Sequence, residues 1–343
     1  MRDNLRIGII GSGFVARTHA HSISRGLHHA TLAGVAGGTR AEQLASDFST
    51  TFYPSPNALA ASEEVDAVVI ATPHSFHHEH ALLCAGTGKH VLIEKPMATS
   101  AKDCSEIIAG FRSRRLCLMV AFTQRFRQSN VRAFDIIHQG TIGTVLMVQE
   151  YALLPNGLQA YPGWQQQPDN LGILFGYGIH NIDKLRWFLQ DEVESLSATL
   201  HRSKGGIETS SMTTLRWTGG ALTHIWSSVD LPSPGFESTA FRSQIVGDKG
   251  LLDVDGYGKV QISLPGEPWR TLFVQPPIDW RGAGMFSEAR MGSFNAQNQA
   301  FVDSVLAGTE PPVTGADGLQ AVKIALAAYE SADTHQTIHL NTH

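Results

Sequence analysis

Gly11-Ser12-Gly13-Phe14-Val15-Ala16 follows a short apolar run and opens a helical pattern, the arrangement a dinucleotide-binding turn requires. Gly11 permits a tight turn, Gly13 lets backbone approach a pyrophosphate, and Ala16 lets helix and strand pack closely. The N–H groups of Ser12, Phe14 and Val15 are then available to phosphate oxygens at a helix N-terminus. A carboxylate at the end of the second strand would bind the ribose hydroxyls of NAD, whereas an arginine there suits the extra phosphate of NADP. The sequence reads Ala36-Gly37-Gly38-Thr39-Arg40, with no carboxylate before Glu42. Gly38, Thr39 and Arg40 therefore predict NADP as the preferred cofactor, with NAD as the alternative.

Two more chemistry-bearing segments end predicted strands, Ala71-Thr72-Pro73 and Glu94-Lys95-Pro96, so both should face the same crevice. His74, His77, His78 and His80 follow the first of them, with Glu79 among them. Histidines three or four apart on a helix can share a metal. Their place beside a cofactor crevice favours a different use, and no metal is expected.

The elements that must position these residues alternate regularly over the first 120 or so residues. Strands are predicted at 6–10, 31–36, 67–71, 90–93 and 116–121, and helices at 14–25, 40–48, 75–85 and 101–112. Such alternation makes a doubly wound parallel sheet with right-handed crossovers. The rhythm then changes. A helix at 130–138, a strand at 145–151, a loop over 151–171 and a helix at 179–189 precede seven strand-like runs between 195 and 274. Turn signals such as Thr218-Gly219-Gly220 separate those runs. Helices at 298–307 and 317–331 close the chain. The expectation is an α/β Rossmann domain over 1–123 and an α+β domain over 124–343 with a large, mostly antiparallel open sheet.

Composition narrows the function classes. The chain has 343 residues and a net charge of −5, which removes any general attraction to nucleic acid or an anionic membrane surface. Three cysteines, Cys84, Cys104 and Cys117, make no framework of disulfides. No apolar stretch is long enough to span a bilayer, and the N-terminal run enters a glycine turn instead of a cleavage site. A cytoplasmic protein is expected, without nucleic-acid or membrane partners.

Five further matches fall in one order along the chain: Thr72-Pro73-His74-Ser75-Phe76-His77, Glu94-Lys95-Pro96, Gln124-Arg125-Phe126, Gly140-Thr141-Ile142-Gly143, and Gly178-Ile179-His180-Asn181-Ile182-Asp183. With the glycine turn, this sequence resembles the Gfo/Idh/MocA family, named for glucose–fructose oxidoreductase, inositol dehydrogenase and a rhizopine-catabolism protein. The resemblance covers essentially the whole chain. It implies that Lys95 lies near the nicotinamide and the reacting hydroxyl, that His180 is the acid/base, and that Asp183 binds a substrate hydroxyl. It places Thr72, Pro73, His77, Glu94, Lys95 and Arg125 with the glycine turn at the cofactor. Tyr161, Trp164 and Gln165, from the long loop, are candidates to line a sugar pocket.

One departure stands out. Many relatives carry an aspartate four residues before the histidine, and Gly176 holds that position here. Tyr177, or Asp169 from the loop, could supply the missing polar group. The resemblance implies a dehydrogenase or reductase moving a hydride between NAD(P) and a carbinol carbon of a sugar, cyclic polyol or related compound, assembled as a homodimer or homotetramer. The alternatives are a non-catalytic NAD(P)-binding sensor of the same fold and an NAD-dependent glycoside hydrolase.

Overall fold

The computed structural model describes residues 4–155, 157, 162–167, 170, 172–236, 240–276, 278 and 282–340. In chain order its regular elements are β1 (Leu5–Ile10), α1 (Phe14–Arg25), β2 (Ala30–Ala36), α2 (Ala41–Asp47), β3 (Thr51–Phe52), α3 (Pro56–Ala61), β4 (Ala67–Ile70), α4 (His77–Gly86), β5 (His90–Glu94), α5 (Ala101–Ser113), β6 (Leu118–Ala121), α6 (Gln128–His138), β7 (Val145–Pro155), α7 (Ile179–Leu189), β8 (Val193–Arg202), β9 (Glu208–Trp217), β10 (Leu222–Leu231), β11 (Arg242–Gly247), β12 (Gly250–Asp255), β13 (Lys259–Ser263), β14 (Arg270–Val274), α8 (Glu288–Ala307), α9 (Gly315–Thr334) and β15 (Ile338–His339). They form two compact units, Met1–Thr123 with Asp279–Gln320, and Gln124–Ile278 with Ala321–His343. The described residues 282–320 thus group with the first unit.

The first unit holds a six-stranded parallel sheet in the order β3-β2-β1-β4-β5-β6. The order reverses beside β1, which makes the carboxyl end of that strand the expected ligand crevice. Ile7, Ile9 and Ile10 of β1, Val68 to Ile70 of β4 and Val91 to Ile93 of β5 are all buried. Covering both faces of the sheet explains why these strands are continuously apolar, and each such side chain contributes about 1.5–3 kcal/mol on full burial. Local chemistry marks the helix starts. Ser55 accepts from Ala58 N before Pro56 opens α3, and Ser100 accepts from Asp103 N at α5. Thr314 and Asp317 bond reciprocally at the start of α9.

The second unit is built on a nine-stranded sheet in the order β14-β13-β12-β11-β7-β10-β9-β8-β15. The sheet is mixed: its strand pairings are antiparallel except one. β7 and β10 pair in parallel, Met147 opposite Leu222 and Tyr151 opposite Trp226. The cause is the helical crossover through α7. It sets β8 in the direction of β7, and the meander β8–β9–β10 then returns β10 alongside β7 with the same sense.

Residues of β9 and β10 alternate between buried and exposed. Thr213, Leu215 and Ile225 turn inward, while Met212, Leu222, Met147 and Leu251 lie exposed on the opposite face. Beneath the sheet, Lys184 of α7 donates to Glu150 Oε1 of β7 (2.8 Å) and to Ser243 Oγ of β11 (2.9 Å), with both charges fully buried. Removing one member of such a pair strands the other, at a cost of about 3–5 kcal/mol.

Candidate active site

The glycine turn in the first unit has the shape its sequence predicts. Gly11 has φ +128°, and a Cβ there would collide with the Ala71 carbonyl group at the end of β4. Gly13 has φ −78°, and a Cβ on it would meet nothing within 4 Å. The space is open where a pyrophosphate would lie. Gly13 is also the N-cap of α1 and brings no side-chain acceptor, and the first turn holds no acidic residue. The donors of this helix start therefore have no built-in competitor for an anion. Ala16 is fully buried, as close packing of α1 demands, while Phe14 is exposed and Val15 half-buried. The donor set and the cradle fit a dinucleotide.

At the end of β2, Gly37 and Gly38 both take positive φ, +78° and +80°. A Cβ on Gly38 would strike Ser12 Oγ. That same hydroxyl accepts from Arg40 N (3.3 Å), tying the loop after β2 to the glycine turn. Thr39 and Arg40 are exposed. A side chain carrying a carboxylate is thus disfavoured at 37 and 38 by backbone geometry.

His77 joins two strand-end loops. Its Nδ1 lies 2.7 Å from the Pro96 carbonyl and its Nε2 2.9 Å from the Thr72 carbonyl. Burial pushes the imidazole pKa down, and the two carbonyls oppose that shift. His80 bonds Thr72 Oγ1, and His78 turns to Glu106 on α5. His77 and His80 thus share Thr72 as a partner, whereas His78 pairs with α5.

The Lys95–Pro96 bond is cis. Glu94 Oε1 accepts from His19 Nε2 of α1 (2.9 Å), and His19 Nδ1 lies 3.1 Å from Asn298 Oδ1 of α8. Glu94 Oε2 accepts from Lys95 N at 3.3 Å. Lys95 is half-buried, and burial pushes its ammonium pKa below the usual lysine range while Glu94 pulls it back up. His19 and Asn298 escape sequence reasoning. His19 does stand three residues after Ala16, on the buried stripe of α1, where a polar side chain needs a partner.

In the second unit a π-helical turn, Leu174–Gly178, leads directly into α7. Such turns are rare and gather at functional sites. Gly178 packs where a Cβ would come within 2.8 Å of Leu174 Cδ1 and 3.1 Å of Ser227 Oγ. Gly176 is buried, yet a Cβ there would meet nothing within 4 Å, so the glycine is not demanded by crowding. Tyr177 is half-buried on the same turn. His180, in the first turn of α7, is 8% exposed and meets the Phe241 ring edge to face, with centroids 5.9 Å apart.

Asp183, three residues on, is fully buried and bound to Arg125. Arg125 Nε donates to Oδ2 at 2.8 Å and a terminal NH₂ to Oδ1 at 2.6 Å. This two-pronged pairing joins residues that sequence reasoning assigns separately to substrate and cofactor. Trp164 is half-buried on a 3₁₀ turn, Gly163–Gln166, while Tyr161 and Asp169 lie outside the described residues.

With this geometry in place, the chain can be set beside known proteins. Residues 5–122 match the oxidoreductase family's NAD-binding Rossmann fold, and residues 135–340 match its C-terminal alpha/beta domain. The chain belongs to the Gfo/Idh/MocA oxidoreductase family. It is 27% identical to inositol 2-dehydrogenase 2 of Saccharopolyspora erythraea, over 97% of this chain and 94% of that one. It is 26% identical to 1,5-anhydro-D-fructose reductase of Ensifer adhaerens, over 96% and 92%. The crystal structure of scyllo-inositol dehydrogenase from Lactobacillus casei with bound NAD(H) and scyllo-inositol superposes with a TM-score of 0.81 at 22% identity, covering 98% of this chain and 99% of that one. Among the described residues no helix is long and apolar enough to cross a membrane.

Proposed function

We propose that the protein is an NAD(P)-dependent dehydrogenase or reductase acting on a CH–OH group of a sugar, cyclic polyol or related compound, with NADP preferred over NAD. The observation that carries this reading is Lys95, half-buried at the end of β5 in the same parallel sheet whose strand β1 ends in a glycine cradle shaped for a dinucleotide. The names of two relatives, an inositol dehydrogenase and an anhydrofructose reductase, support the substrate class. Gly11, Ser12, Gly13, Phe14 and Val15 hold the pyrophosphate in this reading. Gly38, Thr39 and Arg40 meet the adenosine ribose and its phosphate, and Thr72, Pro73, His77, Glu94 and Arg125 complete the cofactor residues. The bound nicotinamide supplies the hydride acceptor or donor.

The protein's own part is charge and proton management. Lys95 Nζ stabilises the alkoxide-like oxygen through its charge. His180 exchanges the hydroxyl proton through a ring nitrogen. Asp183, whose two oxygens both accept from Arg125 in a buried pair, is assigned to the substrate side in this reading, with Tyr161, Trp164 and Tyr177 lining the pocket. The joint role of Lys95 and His180 is supported by family membership. A lysine whose proton is held less tightly because of burial also relays it more readily.

The test is single-turnover hydride transfer at saturating cofactor, on a substrate found in a panel of sugars, inositols and sugar acids. His180→Ala should slow transfer about 10²–10⁴-fold, and Lys95→Ala about 10²–10³-fold, with both variants folded. A wild-type rate in either variant removes that residue's role. We also propose a homodimer or homotetramer formed through the exposed sheet face of Met147, Met212, Leu222 and Leu251. A monomer by light scattering at micromolar concentration would remove that assignment.

A further inference from the structure

We propose that Glu208 is a positioning residue for His180: from the start of β9 it clamps the π-helical turn that delivers the histidine. The inference rests on the reading of His180 as the proton-exchanging group. Glu208 is 1% exposed, an uncommon place for a carboxyl. Its Oε2 accepts from Leu174 N (3.1 Å), the first residue of the turn, and from the Tyr329 hydroxyl (3.0 Å) of α9. The same hydroxyl accepts from Gly172 N (3.2 Å). The Tyr329 ring stacks on Phe175, with centroids 5.7 Å apart and planes 20° from parallel.

Residues 172, 174 and 175 are therefore each tied to one pair, the buried Glu208 and the half-buried Tyr329. Gly172 is part of the fit, because a Cβ there would collide with Glu208 Oε2 and its backbone oxygen. The charged group behind the pair is Arg202 of β8. Its guanidinium lies 5.8 Å from the Tyr329 ring centroid and pairs with Asp333 at 2.7 Å.

The geometry of the turn explains why a clamp matters. A π-helical turn closes i→i+5 bonds and so carries one residue more than an α-helical turn. Relaxing it to α geometry shifts the following helix by one residue, about 100° of rotation and about 1.5 Å of rise. That would swing the His180 ring away from its edge-to-face seat on Phe241. Glu208 and Tyr329 hold the start of the turn, and Gly178 against Ser227 holds its end.

The experiment follows the ring signals of isotopically labelled histidine in the full-length protein, with the His180 signals assigned by their loss in His180→Gln. Turnover is measured in parallel. Glu208→Gln keeps an acceptor oxygen for Leu174 N, and should leave the His180 signals in place and kcat within about threefold. Glu208→Ala should displace or broaden those signals. It should also lower kcat about 10- to 100-fold, the scale expected for a misplaced catalytic group, with the KM for cofactor unchanged. If Glu208→Ala does not fold, Tyr329→Phe removes the hydroxyl and keeps the ring on Phe175, and should displace the signals in the same sense.

Unmoved His180 signals in Glu208→Ala, or in Tyr329→Phe where that replaces it, overturn the proposal. So does Glu208→Gln behaving like Glu208→Ala. The ring signals do not depend on activity. Should His180→Ala keep wild-type turnover, the catalytic reading fails while a displaced His180 signal still establishes the clamp.

Discussion

Gly11 and Gly13 stand two residues apart in one turn, yet the same substitution should damage different things. At Gly11 an alanine must adopt φ +128° and place its Cβ 2.7 Å from the Ala71 carbonyl carbon. An L-residue in such a backbone region costs about 1–3 kcal/mol. Moving a packed strand end aside costs about 1–3 kcal/mol more. Gly11→Ala should thus destabilise the first unit by roughly 2–6 kcal/mol. Gly13, with φ −78° and ψ −173°, already has a conformation alanine accepts, and its Cβ side is open to 4 Å. Gly13→Ala should leave stability unchanged or raise it by up to about 1 kcal/mol, through a less flexible unfolded chain. Its methyl group would instead occupy the approach to the pyrophosphate and weaken cofactor binding by about tenfold or more, at least about 1.4 kcal/mol. Denaturant midpoints and fluorescence titrations with NADPH and NADH separate the two effects. Wild-type affinity in Gly13→Ala, or equal loss of stability in both variants, refutes the reasoning.

NADP(H) should bind more tightly than NAD(H), since positive φ at Gly37 and Gly38 keeps carboxylates away and Arg40 is exposed beside them. Arg40→Ala should abolish the difference in a paired titration, and tighter NAD binding by the wild type would sink the claim. Glu208 should also leave a mark on stability against pH. Burial raises its carboxyl from 4.5 to about 7, so the folded state holds this proton more tightly than the unfolded state. The contribution is fully present below about pH 4.5 and is lost as pH rises through about 7. It amounts to about 3 kcal/mol, because a tenfold difference in proton affinity between the two states is worth about 1.4 kcal/mol. Denaturant midpoints at pH 5 and pH 8 should therefore differ less in Glu208→Gln than in wild type, and an unchanged difference counts against the buried carboxyl.

The parallel sheet is legible because its strands are apolar throughout and glycines punctuate their ends. Helix α1 is read from the sequence with the bounds it has in the structure. Other elements leave weaker traces. Helix α3 is only six residues long, and its signal is a cap, Ser55 before Pro56, without a full period of apolar residues. The first ten residues of α8 bury Arg290, Ser293 and Gln297 together with Met291, so polar side chains interrupt the apolar stripe that marks a helix. Strand direction in the second sheet follows from the crossover through α7, which no local pattern encodes. The site divides in the same way. Gly11, Gly13, His77, Arg125 and Asp183 all stand in motifs, but the pairing of Arg125 with Asp183 spans 58 positions of sequence and no local pattern announces it. Glu208 falls just ahead of a strand predicted to begin at 210, and nothing in its immediate neighbours marks it as buried.

The His77 ring has a consequence for how ligand binding is divided in time. Its two nitrogens lie within 2.9 Å of carbonyl oxygens from loops that follow different strands. Those loops lose their conformational freedom when the chain folds, not when a ligand arrives. Ordering a loop upon association subtracts from affinity, and a loop that must reorganise slows encounter. A crevice tied in advance by one imidazole is spared both penalties on this side, so association there is governed by diffusion and orientation.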